Sequence, residues 1–240
     1  MQVGTLQHIV PLGRYCGLLT ADSLALTDLG ISFYQLGRQS IGLFSEAMHQ
    51  LLYTTHYSDL DKRFSWAYAQ VVDALWASGE RIIDQATVAY LVGMVVDRAT
   101  QTYDVPAERI AFSHNSVLGI RHWLRALDPP VLSNSGKRET FRRRSYCSPI
   151  VLLWAGDALY RITQTPYGVR MFLTPERVEQ LCKICVLDPS GLDNVLMLAK
   201  RTSDYERGGL FDYSTTGGFG RWLLLARPFS VGSLPEAGER

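Results

Sequence analysis

Two consecutive prolines, Pro129 and Pro130, constrain this chain more than any other feature. Neither ring nitrogen has a hydrogen to donate, and each restricts the residue before it to extended geometry, so no helix or central strand passes through them. Before them, Val117, Ile120, Leu124 and Leu127 recur at three-to-four spacing, the apolar stripe of a helix that starts at Asn115 or Ser116 and runs to about Leu127. Asn115, Ser116, Gly119, His122 and Arg125 fall largely on the opposite, polar and basic face. After the prolines, Val131 and Leu132 open a strand, Ser133 to Gly136 supply turn chemistry, and Thr140 to Tyr146 return as a second strand.

The hairpin is strongly charged although the chain is not. Over 240 residues, 24 basic and 23 acidic side chains leave a net charge of +1, so no global excess points to nucleic acid. Residues 118–146, however, hold Arg121, Arg125, Lys137, Arg138, Arg142, Arg143 and Arg144 against only Asp128 and Glu139. Such a block is most often a solvated face. Here it coincides with one helix face and one hairpin, which favours a binding surface.

Upstream, Asp84 caps a helix carrying Val88, Leu91, Val92 and Val95, and Pro106 starts a short helix to Phe112 that contributes Ala107, Ile110 and Ala111. Ser113, His114 and Asn115 break the pattern before the next helix. Short helix, tight turn, second helix and basic hairpin follow one another. The stretch VPAERIAFSHNSVLGIRHWLRAL resembles the helix-turn-helix core of winged-helix DNA-binding proteins, and the resemblance covers about Phe64 to Tyr146. It implies that the helix from Asn115 enters the major groove, with Asn115, Ser116 and His122 on base edges and Arg121 and Arg125 on phosphates. Lys137, Arg138, Arg142, Arg143 and Arg144 would grip the adjacent backbone or minor groove, with Phe141 and Tyr146 either inserting into a groove or anchoring the hairpin. About five to seven phosphate contacts imply a slope of log affinity against log salt of roughly −5 to −6.

The fold class read from these patterns is mainly α with small β-hairpins, one or more winged helix-turn-helix units being embedded in a helical domain. In residues 1–60, GLLTADSLALTDLGISFYQL reads as a hairpin, either a truncated wing or an ordinary one, followed by a helix capped near Thr27. Gln39–Thr54 and Phe64–Ser78 are helical, with Trp66, Val71, Leu75 and Trp76 packing beneath a central unit at 61–150. In 151–234, Leu159–Thr163 pairs with Val169–Leu173 as a hairpin, and Thr174 and Pro175 start a helix through Leu187. A further helix lies around Leu192–Arg201. The glycine-rich GGLFDYSTTGGFG then leads into Trp222–Ala226 as a terminal hairpin or a docking segment, and 235–240 is a disordered tail.

Enzymatic motifs are missing. The glycine-rich stretch lacks the lysine and hydroxyl of a phosphate loop, no serine sits in a hydrolase elbow, and no histidine pair brackets a glutamate at zinc-protease spacing. Cys182 and Cys185, three apart on one helix face, read as small buried hydrophobes rather than half of a zinc site. No catalytic residue, metal or cofactor is expected. An apolar fraction of 47% permits a packed core, and the longest apolar run, Val88 to Val96, has about half of the ~20 residues that cross a bilayer. Four cysteines make no disulfide framework and no leader pattern opens the chain, which points to a reducing, cytoplasmic address.

The first reading is a non-enzymatic double-stranded DNA-binding protein of bacterial or phage type. It would be a subunit of a larger assembly or a regulator, with a protein partner or a second copy of itself and no membrane. A second keeps the fold and makes its units docking platforms for proteins. A third, resting on 12 tyrosines and the arginine cluster, is RNA or single-strand binding within a ribonucleoprotein.

Overall fold

Several helices start at side chains that accept backbone N–H bonds. The computed structural model describes residues 3–136, 138–203, 209–216 and 220–233. After α1 (Val3–Tyr15), Thr27 caps α2 (Asp28–Gln39) through Gly30 N, and Ser40 caps α3 (Ile41–Thr54) through Leu43 N. The chain between α1 and α2 closes with a single bridge, Leu19 to Leu26, an ordinary hairpin rather than part of a sheet. α4 (Arg63–Ser78) and β1 (Glu80–Ile82) lead to α5 (Gln85–Tyr103), capped by Asp84 as its spacing requires.

The chain then runs through α6 (His114–Arg125), β2 (Leu132–Ser135), β3 (Arg138–Arg142), α7 (Pro149–Ile162), β4 (Met171–Phe172), α8 (Pro175–Cys185), α9 (Leu192–Thr202), β5 (Phe211–Thr216) and β6 (Gly220–Leu225). Helix, strand, helix, helix, strand, strand therefore occurs twice, from α4 to β3 and from α7 to β6. In both antiparallel sheets the last strand lies in the middle, β1-β3-β2 and β4-β6-β5. The description as mainly helical with small hairpins holds.

The first helix of each repeat lies deepest. α7 is buried at every residue from Val151 to Tyr160, and α4 buries Tyr68, Val71, Val72 and Leu75. Buried side chains from Cys16 to Leu225 form one cluster, continuous across residues 60 and 150. The two repeats also touch through backbone: Arg144 N donates to Val186 O at 3.1 Å and Asp188 N to Arg144 O at 2.7 Å. At Gly191 a Cβ would stand 2.1 Å from Ser145 O, so only glycine allows this approach.

Four expectations are corrected. Leu159–Thr163 is not a strand: Pro149 at the first position starts a helix whose apolar residues continue through Ile162, and Met171–Phe172 pairs with Trp222–Leu223 of β6. Pro106–Phe112 is only a 3-10 turn at Ala107–Arg109, too short to sustain helical hydrogen bonding. α5 therefore precedes α6, across residues 104–113 rather than a tight turn. The hairpin strands are displaced: the first is Leu132–Ser135, running through three residues read as turn, and the second is Arg138–Arg142, not Thr140–Tyr146, because the backbone of Arg144 pairs with the segment after α8. α8 itself ends at Cys185, where Val186 turns left-handed, short of the expected Leu187. Within the glycine-rich stretch Phe211–Thr216 forms β5 and Gly220 opens β6, the two strands pairing antiparallel. The tail at 235–240 lies outside the described residues.

Candidate interaction faces on two corresponding helices

Val117, Ile120 and Leu124 are buried on the inner stripe of α6, which packs on α5 and α4 and turns the opposite stripe outward. Ser113 is its N-cap, and the Ser113 N–H donates to Ser116 Oγ at 3.2 Å. The outer stripe exposes Asn115, Leu118, Gly119, His122 and Arg125, with Ser116 half-buried at its edge and Leu118 retaining 41% of its surface. Trp123 packs on the core.

The arginines do not converge on this stripe. Glu139, on the inward face of β3 and only 8% exposed, takes both Arg121, whose Nε donates to Oε2 at 2.7 Å, and Arg125. Two cations of the helix are thereby spent on one buried carboxylate. Arg142 stays exposed but donates through Nη2 to both Glu80 oxygens at 3.0 Å. Arg143 turns away from the hairpin: its guanidinium lies 4.7 Å over the Trp76 ring, 3.7 Å from Asp188, against Gly79.

Arg144 is a core residue. Its side chain is 1% exposed, forks onto Glu46, and donates through Nε to Cys185 O at 2.8 Å and through Nη1 to Asp128 O at 3.1 Å. Phosphate contacts by Arg144, and groove insertion by the fully buried Phe141, are therefore ruled out by burial. Alternation along β3 sends adjacent residues to opposite faces, and beyond Arg142 the chain leaves the strand, placing Arg143 between Trp76 and Asp188 and Arg144 between Glu46 and Cys185 O, so three successive arginines meet three different environments. Of the nominated cations, Arg138 is exposed without a carboxylate partner among the described residues, and Lys137 lies outside them.

The corresponding helix of the second repeat, α9, shows the same division. Leu192, Val195, Leu196 and Ala199 are buried, while Asp193, Asn194, Met197 and Leu198 face outward, Met197 retaining 47% of its surface. Asp193 is held by Tyr213 Oη at 2.7 Å and Arg221 Nη1 at 3.0 Å. Sequence reasoning identified the helix and missed this face. The available signal was two large apolar side chains placed off the buried stripe.

Beneath these faces most buried polar groups are matched internally, Arg143 Nε and Trp154 Nε1 being buried without a hydrogen-bond partner among the described residues. His49 is fully buried, its Nε2–H donating to Ile184 O at 3.1 Å, which leaves Nδ1 to accept from Tyr68 Oη at 2.8 Å. Burial, assisted by the Arg144 charge, lowers its pKa to about 3, so it is neutral. Burial pushes the Cys182 thiol up to about 12, and a hydrogen bond with Cys147 together with burial raises Cys185, so both keep their protons. Among the described residues no group of three or more histidine, cysteine or acidic side chains is placed to hold a metal ion, and no helix is long and apolar enough to cross a membrane. No family model, no curated protein and no solved structure matches this chain.

Proposed function

We propose that this chain is a non-enzymatic assembly subunit that docks protein partners on the outer faces of α6 and α9, within two units built on the winged-helix plan. Supporting that plan is the repeated order of helix, strand, helix, helix, strand, strand with the last strand in the middle. The observation that carries the docking reading is the internal neutralisation of the arginines: Arg121, Arg125, Arg142, Arg143 and Arg144 all face carboxylates of the chain itself. Apart from the paired Arg125 and Asp193 and the exposed basic end of α9 at Arg201, what faces outward is neutral and partly apolar, Leu118 with Gly119 and His122 on one helix and Met197 with Leu198 and Asn194 on the other. Protein-interface cores are depleted of charge and enriched in methionine and aromatic groups, whereas duplex binding draws on free cations.

Double-stranded DNA is the second reading, favoured by exposed Asn115, His122 and Arg138. With Arg125, Arg138 and Arg142 as the accessible nominated cations among the described residues, their contribution to the salt slope would be roughly −3 rather than −5 to −6. A photo-crosslinking side chain at Leu118 or Met197, introduced in the native host, separates the two. The docking reading expects a protease-sensitive, nuclease-resistant adduct at both positions and none at exposed Leu60. A nuclease-sensitive adduct, or a duplex affinity that Arg138→Glu with Arg142→Glu abolishes, refutes it.

A further inference from the structure

Between α4, α5 and the 104–113 connection lies a pocket of about 340 Å³. Its walls are apolar: Trp66 and Tyr103 meet edge-to-face at 5.3 Å, and Val95, Ala99, Ile110 and Phe112 close the sides. Arg63 and Arg109 are its only charged lining residues. Neither has a carboxylate partner among the described residues, in contrast to the paired arginines around α6 and β3. The Arg63 guanidinium lies 5.0 Å over the Tyr103 ring, which leaves its N–H edges available in the plane of the fork.

Apolar walls with two unmatched cations select an amphiphilic anion, because apolar surface rewards an apolar body and the guanidinium groups reward a charge at one end. We propose that this pocket binds a small monocarboxylate with an aromatic or branched aliphatic body, the body against Trp66, Tyr103 and Ala99 and the carboxylate toward Arg63 and Arg109. The volume is at the low end of the ~300–1,000 Å³ range of ligand pockets, so the ligand is small. Arg109, Ile110 and Phe112 belong to the connection into α6, and Ser116 of α6 itself lines the pocket, so a ligand here ties that connection to α4 and α5. The site does not depend on the docking reading.

Calorimetry on the full chain tests it with 3-phenylpropanoate, 3-phenylpropanamide and acetate. Saturable binding of the aromatic carboxylate is expected, with the amide about tenfold weaker and acetate silent. Arg109→Gln, at an exposed position, should weaken the aromatic carboxylate about tenfold without changing the melting temperature, and bound ligand should slow amide hydrogen exchange across residues 104–113. No saturation by about 10 mM, equal affinity for the amide, or an unchanged affinity in Arg109→Gln overturns the proposal.

Discussion

Replacing Arg144 by methionine separates a structural arginine from a nucleic-acid contact. In the native chain the guanidinium satisfies both Glu46 oxygens, Cys185 O and Asp128 O, and both partners of the ion pair are nearly fully buried. Removing it leaves the Glu46 carboxylate in the core with one remaining donor, Asp128 N at 2.8 Å. Breaking a buried pair from one side costs about 3–5 kcal/mol, because the surviving charge stays desolvated. For a chain of this size that is a fall in melting temperature of roughly 6–20 °C. Replacing both partners, Glu46→Leu with Arg144→Met, removes the orphaned charge and should recover most of the loss. Urea denaturation of wild type, both single variants and the double variant closes the cycle. A single-variant loss below about 1 kcal/mol, or a double variant as unstable as the sum of the singles, would refute the assignment of Arg144 to the core.

Glu139→Gln should cost about 1–2 kcal/mol and free Arg121 in addition to the already accessible Arg125, so a gel shift should show tighter duplex binding and a salt slope steeper by roughly 1; unchanged duplex binding would mean that pairing to Glu139 does not hold Arg121 back. His49 titrates in the unfolded chain near its ordinary value of 6.5 but near 3 when folded, so the unfolded state gains the proton first and stability falls as pH drops from about 6.5 toward 3. Between pH 7 and 5 its share of that loss is up to about 2 kcal/mol, visible as a flatter stability–pH curve in His49→Gln. Gly191→Ala forces a Cβ against Ser145 O and should destabilise by about 2–3 kcal/mol, measured by denaturation. Leu118→Asp, on an exposed face, should change stability by less than about 0.5 kcal/mol, measured by denaturation, while abolishing partner capture in a pull-down from the native host.

Much of the local structure was legible in short spans of the chain. The caps at Thr27, Asp84 and Thr174 and the stripe of Val117, Ile120 and Leu124 depend on neighbours within a few residues, and there propensity and periodicity agree with the final geometry. Leu159–Thr163 misled because a short, mostly apolar run suits either strand or helix, and only the surroundings of α7, buried from Val151 to Tyr160, decide between them. Pro106–Phe112 misled in the opposite direction, its local helix signal too short to stand without tertiary support.

Charge was the harder case. Sequence alone established that seven basic side chains crowd residues 118–146, that one face of α6 is apolar, and that two prolines separate helix from hairpin. Which arginines reach water was decided in three dimensions, because their partners Glu46, Glu80 and Asp188 come from other segments of the chain and Glu139 is swung beneath α6 by the pleat of β3. A charge is a property of a residue, but its availability to a ligand depends on the field and burial created by groups that are distant in sequence and adjacent only once the chain has packed.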